Sequence, residues 1–223
     1  FVYEPLVQGA AAMKLHDPEG LDHILEYLKS RGVLLIADEV MTGFGKTGTH
    51  FASEQIGTKP DLICMSKALT AGLLPMGLTS CTKEIFEEFY ADEISKGFFH
   101  GHTYTANPLA CAAALAGVEL LASDEIQEGI RRIMTSHRDF IQQVQGHPGI
   151  VDSRQCGVIL ALELATKASR YGNFRDEVMQ FFMDRGIFLR PRGNTVYLMP
   201  PYVIQEKELL KIYKAIEDLL SEL

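Results

Sequence analysis

Two hydrophobic periods alternate along the chain. After Asp17-Pro18-Glu19, the residues Leu21, Ile24, Leu25 and Leu28 recur at helical spacing, with Asp17 as a cap, Pro18 at the first helical position and Gly32 as the stop. Val33 to Ala37 is then apolar without alternation, the pattern of a strand covered on both faces. Leu62 to Met65 repeats that pattern, and Gly77 to Cys81 predicts a further short strand. Phe1 to Leu6 predicts an opening strand stopped by Pro5, with a flexible segment from Gln8 to Ala12. Thr42 to Thr49 is expected to be loop, Phe51 to Gln55 a helical turn, and Lys96 to Thr105 a second loop. Between them Thr82 should cap a helix reaching about Tyr90. Asn107-Pro108 opens an alanine-rich helix to about Leu121, whose small side chains suit a buried helix packed closely on its neighbours.

Beyond residue 123 the order is helix (Asp124 to about Val144), turn (Gly146 to Gly149), strand (Val158 to Leu164) and helix (Phe174 to Arg185). A strand from Ile187 to Arg190, with Arg190 anchored at its end before Pro191, and one from Val196 to Met199 are expected next, and a helix from Gln205 to Leu220 closes the chain. Helices alternating with fully apolar strands are α/β grammar with a parallel sheet. Residues 1–122 are expected to form part of a large parallel-sheet domain, and residues 123–223 a small α+β domain.

Composition narrows the possible partners. The 223 residues carry a formal charge of −8 with no basic tract, which argues against nucleic acid or an anionic membrane surface as the main partner. No stretch is long and apolar enough to span a bilayer, and no signal peptide is visible. Cys64, Cys81, Cys111 and Cys156 are scattered and form no CxxC pair, so reduced, buried thiols in a cytoplasmic protein are expected. The opening Phe1-Val2-Tyr3, with no initiator methionine and a strand under way, is expected to be the start of the C-terminal portion of a longer polypeptide.

The candidate chemistry sits where two apolar runs end, one at Asp38-Glu39 and the other at Ser66-Lys67. Asp38 alone reads first as a structural acid at a strand end, and Lys67 alone as a surface lysine. Together they carry more weight, because parallel strands present their carboxyl ends to a shared crevice, and an acid and an amine expected to be buried there are costly unless something uses both. A carboxylate that keeps a ring nitrogen protonated and an amine that forms a covalent link suit pyridoxal phosphate. Gly43-Phe44-Gly45-Lys46-Thr47-Gly48 matches GxGxxG but lacks the rest of a dinucleotide fingerprint. Leu34-Leu35-Ile36-Ala37-Asp38-Glu39 with Gly45-Lys46-Thr47 imitates the two halves of an ATPase site, but in reversed order and with Val40 where the phosphate loop's leading glycine belongs. His100 and His102 have no acid or thiol ligand set around them, so no metal is expected.

Asp38-Glu39-Val40, the glycine loop, Pro60-Asp61 and Ser66-Lys67-Ala68-Leu69 together resemble the class III (ω-type) aminotransferase signature of fold type I. The resemblance covers essentially the whole chain and implies pyridoxal 5'-phosphate as cofactor, with Asp38 paired to its ring nitrogen and Lys67 as its covalent carrier. His100-Gly101-His102-Thr103-Tyr104, Asn107-Pro108-Leu109-Ala110, Leu189-Arg190-Pro191 and Tyr197-Leu198-Met199-Pro200-Pro201-Tyr202 are similar to the branch of that family serving biotin biosynthesis. That likeness implies transamination of 8-amino-7-oxononanoate to 7,8-diaminononanoate, with S-adenosylmethionine or alternatively lysine as donor, in a homodimer whose site is shared between subunits. Thr103 would hydrogen-bond the cofactor phosphate of the partner subunit with His102 beside it, Gly101 would line the substrate pocket, and Arg190 would hold the substrate carboxylate. By their own chemistry, Thr103 fits a turn cap equally well, and Arg190 a structural ion pair.

The sequence departs from the family at His102, where proline is usual, at Arg192, where an aromatic is common, and at Met41, where glutamine is common in the wider class. Ala10 stands where many ω-aminotransferases carry a gating glutamate, which argues against ornithine- or γ-aminobutyrate-type substrates. Two alternatives stay open: another class III ω-aminotransferase, or a fragment that folds without activity because the upstream residues supply part of the phosphate cup.

Overall fold

The computed structural model describes residues 1–166 and 173–223. These divide into two compact units, the first comprising Phe1–Leu6, His16–Phe44 and Thr49–Ser123, and the second Val7–Leu15, Gly45–Gly48 and Asp124–Leu223.

The first unit is built on a four-stranded sheet. Its strands are β1 (Val2–Tyr3), β4 (Ile36–Asp38), β5 (Leu62–Met65) and β6 (Leu78–Cys81), in that spatial order; β2 (Val7–Gln8) and β3 (Lys14–Leu15) belong to the second unit. β1, β4 and β5 run parallel, whereas β6 pairs antiparallel with β5. The sheet is therefore mixed, with its one antiparallel strand at the edge. Helix α1 (Pro18–Ser30) begins where Asp17 accepts a hydrogen bond from the Gly20 amide at 2.8 Å and buries Leu21 and Leu25. The strand after it starts later than its apolar run suggests, at Ile36, and Leu34 is 54% exposed, so Val33 to Leu35 is not covered on both faces. In α2 (Lys83–Phe89) Thr82 holds the N-cap position without a side-chain cap bond; its carbonyl accepts from the Phe86 amide and its own amide donates to the Asp61 carbonyl.

Helix α3 (Pro108–Leu121) corrects another expectation. Asn107 caps it by accepting from the Leu109 and Ala110 amides, yet only Ala110, Ala114 and Leu121 are buried, and Leu109, Leu115 and Leu120 are exposed. Close backbone contact is confined to one stripe, where a methyl group at Gly117 would lie 3.1 Å from the Leu69 carbonyl oxygen. The thiols also differ from the expectation: all four cysteines are free, but Cys81 is exposed and the other three only half-buried.

In the second unit, β7 (Ile150–Cys156), β8 (Ile159–Leu164) and β9 (Thr195–Leu198) form an antiparallel meander. It is accompanied by α4 (Asp124–Val144), α5 (Phe174–Asp184) and α6 (Glu206–Glu222). β8 is buried along most of its length, and a capping box between Gln205 and Glu208 opens α6. His137 of α4 is fully buried, its Nδ1 2.6 Å from the Tyr213 hydroxyl and its Nε2 3.1 Å from the Val158 carbonyl oxygen. Gln8 to Ala12 is not simply flexible: β2 (Val7–Gln8) and β3 (Lys14–Leu15) form a small antiparallel hairpin. Arg154 secures its turn by donating to the Met13 and Ala12 carbonyls, and Arg192 donates to the Ala10 carbonyl. Ile187 to Arg190 is irregular, not a strand.

Candidate active site

Asp38 is the last residue of β4 and lies opposite Cys64 of β5 in parallel register. Lys67 follows three residues after Cys64, so the carboxylate and the amine occupy the carboxyl ends of neighbouring parallel strands. The expectation that both are buried needs correction: Asp38 is half-buried and Lys67 exposed. Burial of the amine is unnecessary for the pairing, because the register alone sets the two strand ends side by side.

Local backbone fixes each group. Asp38 Oδ1 accepts from the Val40 amide at 3.0 Å, while Oδ2 has no hydrogen-bond partner among the described residues. Lys67 adopts a φ of 45°, an uncommon left-handed conformation for a side-chain-bearing residue. It is held there between the Ser66 hydroxyl, which donates to the Met76 carbonyl at 2.6 Å, and a short 3-10 turn from Lys67 to Thr70. No carboxylate pairs with the Lys67 ammonium among the described residues. An amine and a carboxylate with a free oxygen, following the ends of neighbouring parallel strands, are the donor set a pyridine aldehyde cofactor requires, and these two residues fit pyridoxal phosphate.

Glu39 had no role assigned from sequence and is the most tightly held residue here. It is fully buried, with Oε2 accepting from the Thr42 hydroxyl at 2.6 Å and the Ala52 amide at 3.1 Å, and Oε1 accepting from the Ser53 amide at 2.7 Å. The available signal was a second acid directly after Asp38 at the end of an apolar run.

Gly101, His102 and Thr103 lie in an exposed turn of the first unit. His102 Nδ1 accepts from the Tyr104 amide at 3.2 Å, the Thr103 hydroxyl has no partner among the described residues, and nothing lies within 4 Å of a methyl group built at Gly101. No group of three metal-ligating side chains occurs among the described residues. Arg190 belongs to the second unit. It is exposed and not anchored at a strand end as its sequence suggested, and it lines a cleft of about 370 Å³ together with Ile187, Leu189, Tyr197, Met199 and Pro201. The ammonium of Lys46 in the glycine loop lies 4.5 Å from the centroid of the Tyr202 ring, and burial pushes its pKa down to about 8.

Comparison with known proteins gives the family. The family model described as aminotransferase class-III matches residues 1–220. The adenosylmethionine-8-amino-7-oxononanoate aminotransferase of Synechococcus elongatus is 44% identical over 100% of the chain and 52% of its own length. That of Mycobacterium leprae is 38% identical over 96% of the chain and 48% of its own length. The crystal structure of the Methanocaldococcus jannaschii enzyme of the same name superposes with a TM-score of 0.91 at 32% identity, covering 99% of this chain and 53% of that one. The chain thus spans about half the length of the curated relatives it matches. The family model covers nearly the whole chain, and the chain belongs to the class-III aminotransferases.

Proposed function

We propose that this chain serves in a pyridoxal 5'-phosphate-dependent transaminase. Its reaction converts 8-amino-7-oxononanoate to 7,8-diaminononanoate in biotin biosynthesis, with S-adenosylmethionine as amino donor. The observation carrying the reaction class is the placement of Asp38 and Lys67 at adjacent parallel strand ends, with the amine free of ion pairs. The choice of substrates rests on the names of the relatives.

When bound, the cofactor supplies an electron sink that lets an amino group pass from one substrate to the other. Lys67 would hold it covalently through Nζ, and its amine, once free, would serve as general base and acid for the proton at the substrate carbon. Asp38 would hold the ring nitrogen and keep it protonated. The Arg190 guanidinium, open to the cleft, holds the substrate carboxylate by a two-pronged contact. Gly101 would leave room for substrate, and the Thr103 hydroxyl would hold the cofactor phosphate of the partner subunit, with His102 beside it.

The protein acts as a cytoplasmic homodimer, with residues 1–122 belonging to the large domain and 123–223 forming the small one. The exposed apolar side chains of the first unit support an extensive partner surface there: Phe98 is 72% exposed, Phe99 79%, Tyr104 70% and Leu109 71%. No helix among the described residues is long and apolar enough to cross a membrane.

Borohydride treatment of the full-length protein tests the reaction class. Fixation of the cofactor on the peptide containing Lys67 is expected; full-length protein that shows no cofactor absorbance and no labelled lysine would sink the assignment. Turnover of 8-amino-7-oxononanoate with S-adenosylmethionine and with lysine tests the substrates. Arg192, at a position where an aromatic is common, favours checking other ω-amino acids and oxo-acids in the same assay. Amination of a different acid with none of 8-amino-7-oxononanoate would leave a class III ω-aminotransferase of other specificity.

A further inference from the structure

The glycine loop that imitates a nucleotide-binding motif has a different use, visible at its base. The chain leaves β4 at Asp38, runs through Thr42 and the glycines, and returns at Phe51 to a short 3-10 turn from Ala52 to Gln55. Its tip, Gly45–Gly48, packs within the second unit, while both legs belong to the first. Three groups close the base, and all three donate to one carboxylate. The Thr42 hydroxyl comes from the outgoing leg, and the Ala52 and Ser53 amides come from the returning leg. The acceptor is Glu39, which is fully buried and adjacent to Asp38.

The geometry leaves little slack. The Glu39 amide donates to the Cys64 carbonyl at 2.9 Å, continuing the ladder that aligns β4 with β5, and the Glu39 carbonyl accepts from the Gly43 amide at 3.0 Å. A methyl group at Gly43 would stand 2.9 Å from that carbonyl oxygen and 3.3 Å from the Phe51 ring, so the legs approach as closely as glycine permits. Asp38 takes its own orientation from the Val40 amide, which lies inside this closed base. A buried carboxylate is costly unless its oxygens are satisfied, and here three donors from two separate legs satisfy them. Loosening the base would free the Val40 amide and with it the Asp38 carboxylate.

We infer that Glu39 is a positioning residue, closing the base of the Thr42–Phe51 loop and thereby fixing the Asp38 carboxylate for the cofactor's ring nitrogen. This rests on the transaminase reading above. Glu39 touches neither cofactor nor substrate; it acts through Asp38.

The test is a double-mutant cycle on the full-length protein, with the dissociation constant of pyridoxal phosphate from the reconstituted apoprotein as readout. Glu39→Gln keeps volume but turns a donor toward the backbone amides, and about a tenfold weakening is expected; Thr42→Val removes one donor and should weaken binding about threefold. In the Asp38→Asn background each of these changes is expected to have less than about a twofold effect, because the residue through which Glu39 works is already disabled. A melting curve of each apoprotein identifies any loss of fold, and if Glu39→Gln does not fold, Thr42→Val carries the cycle alone. Equal weakening with and without Asp38, or unchanged affinity in a folded variant, would overturn the inference and leave the transaminase assignment standing. Wild-type protein that binds no pyridoxal phosphate would overturn both.

Discussion

Asp38 and Cys64 face each other across two parallel strands, and this register brings the Asp38 carboxylate to the strand end beside Lys67. A shift of one residue would turn the Asp38 side chain to the opposite face of the sheet. The chemistry proposed for the two groups depends on that alignment, and they are expected to fail differently. In the full-length protein Lys67→Ala should abolish turnover and borohydride labelling while leaving the fold intact, since Lys67 is exposed and makes no ion pair among the described residues. Asp38→Asn should retain labelling but lower kcat by about a hundredfold or more, because it removes charge stabilisation at the ring nitrogen. Circular dichroism, labelling and kcat measured side by side separate the two.

Arg190 should separate binding from chemistry. Arg190→Met keeps much of the apolar stem against the cleft and removes the guanidinium. A rise in KM for the oxo-acid of about tenfold or more is expected, with a smaller change in the rate of the half-reaction with the amino donor. Stopped-flow measurement of each half-reaction checks this, and equal effects on both would argue for a structural arginine.

His137 predicts acid sensitivity of the second unit. Burial holds it down to about 4 from an ordinary value of 6.5, partly offset by its bond to the Val158 carbonyl. Its folded-state value lies below its unfolded one, so its contribution is complete above about pH 6.5 and is lost progressively as the pH falls toward 4. The shift corresponds to roughly 3 kcal/mol at most across that window. Denaturant unfolding followed between pH 7.5 and 4 should show this loss, and His137→Leu should flatten the dependence while lowering stability at neutral pH by leaving the Tyr213 hydroxyl without its partner.

Two glycines with similar backbone angles should respond unequally to alanine. Gly157 has a φ of +58°, and a methyl group there would lie 2.3 Å from the Lys46 carbonyl oxygen. Gly146 has a φ of +80° with nothing within 4 Å. Gly146→Ala is expected to cost about 1 kcal/mol from its left-handed conformation alone. Gly157→Ala should cost at least about 3 kcal/mol, because the Lys46–Thr47 backbone must also move. Melting temperatures of the two variants give the comparison directly.

The helices, the strands β4, β5, β6 and β8, and the placement of Asp38 and Lys67 after neighbouring apolar runs were legible in the sequence, because they depend on local periodicity, caps and the ends of apolar runs; the seven-residue β7 (Ile150–Cys156) was not. Asp17-Pro18 fixes the start of α1, Asn107-Pro108 fixes α3, and the unalternating run of β5 fixes a strand whose end carries Lys67. The β2–β3 hairpin was not legible. Its two-residue strands are too short to show a period, and its turn is held by Arg154, some 140 positions away. The irregular backbone of Ile187 to Arg190 was likewise hidden, since an apolar run looks the same whether its amides join a ladder or not. Glu39 marks the division most sharply. Its identity is local, but its three donors lie at Thr42, Ala52 and Ser53, and only the return of the chain at Phe51 brings the last two within hydrogen-bonding distance. Sequence determined which groups stand at the strand ends; the tertiary structure decided what holds them there, because hydrogen bonds across a loop's base join residues that no periodicity connects.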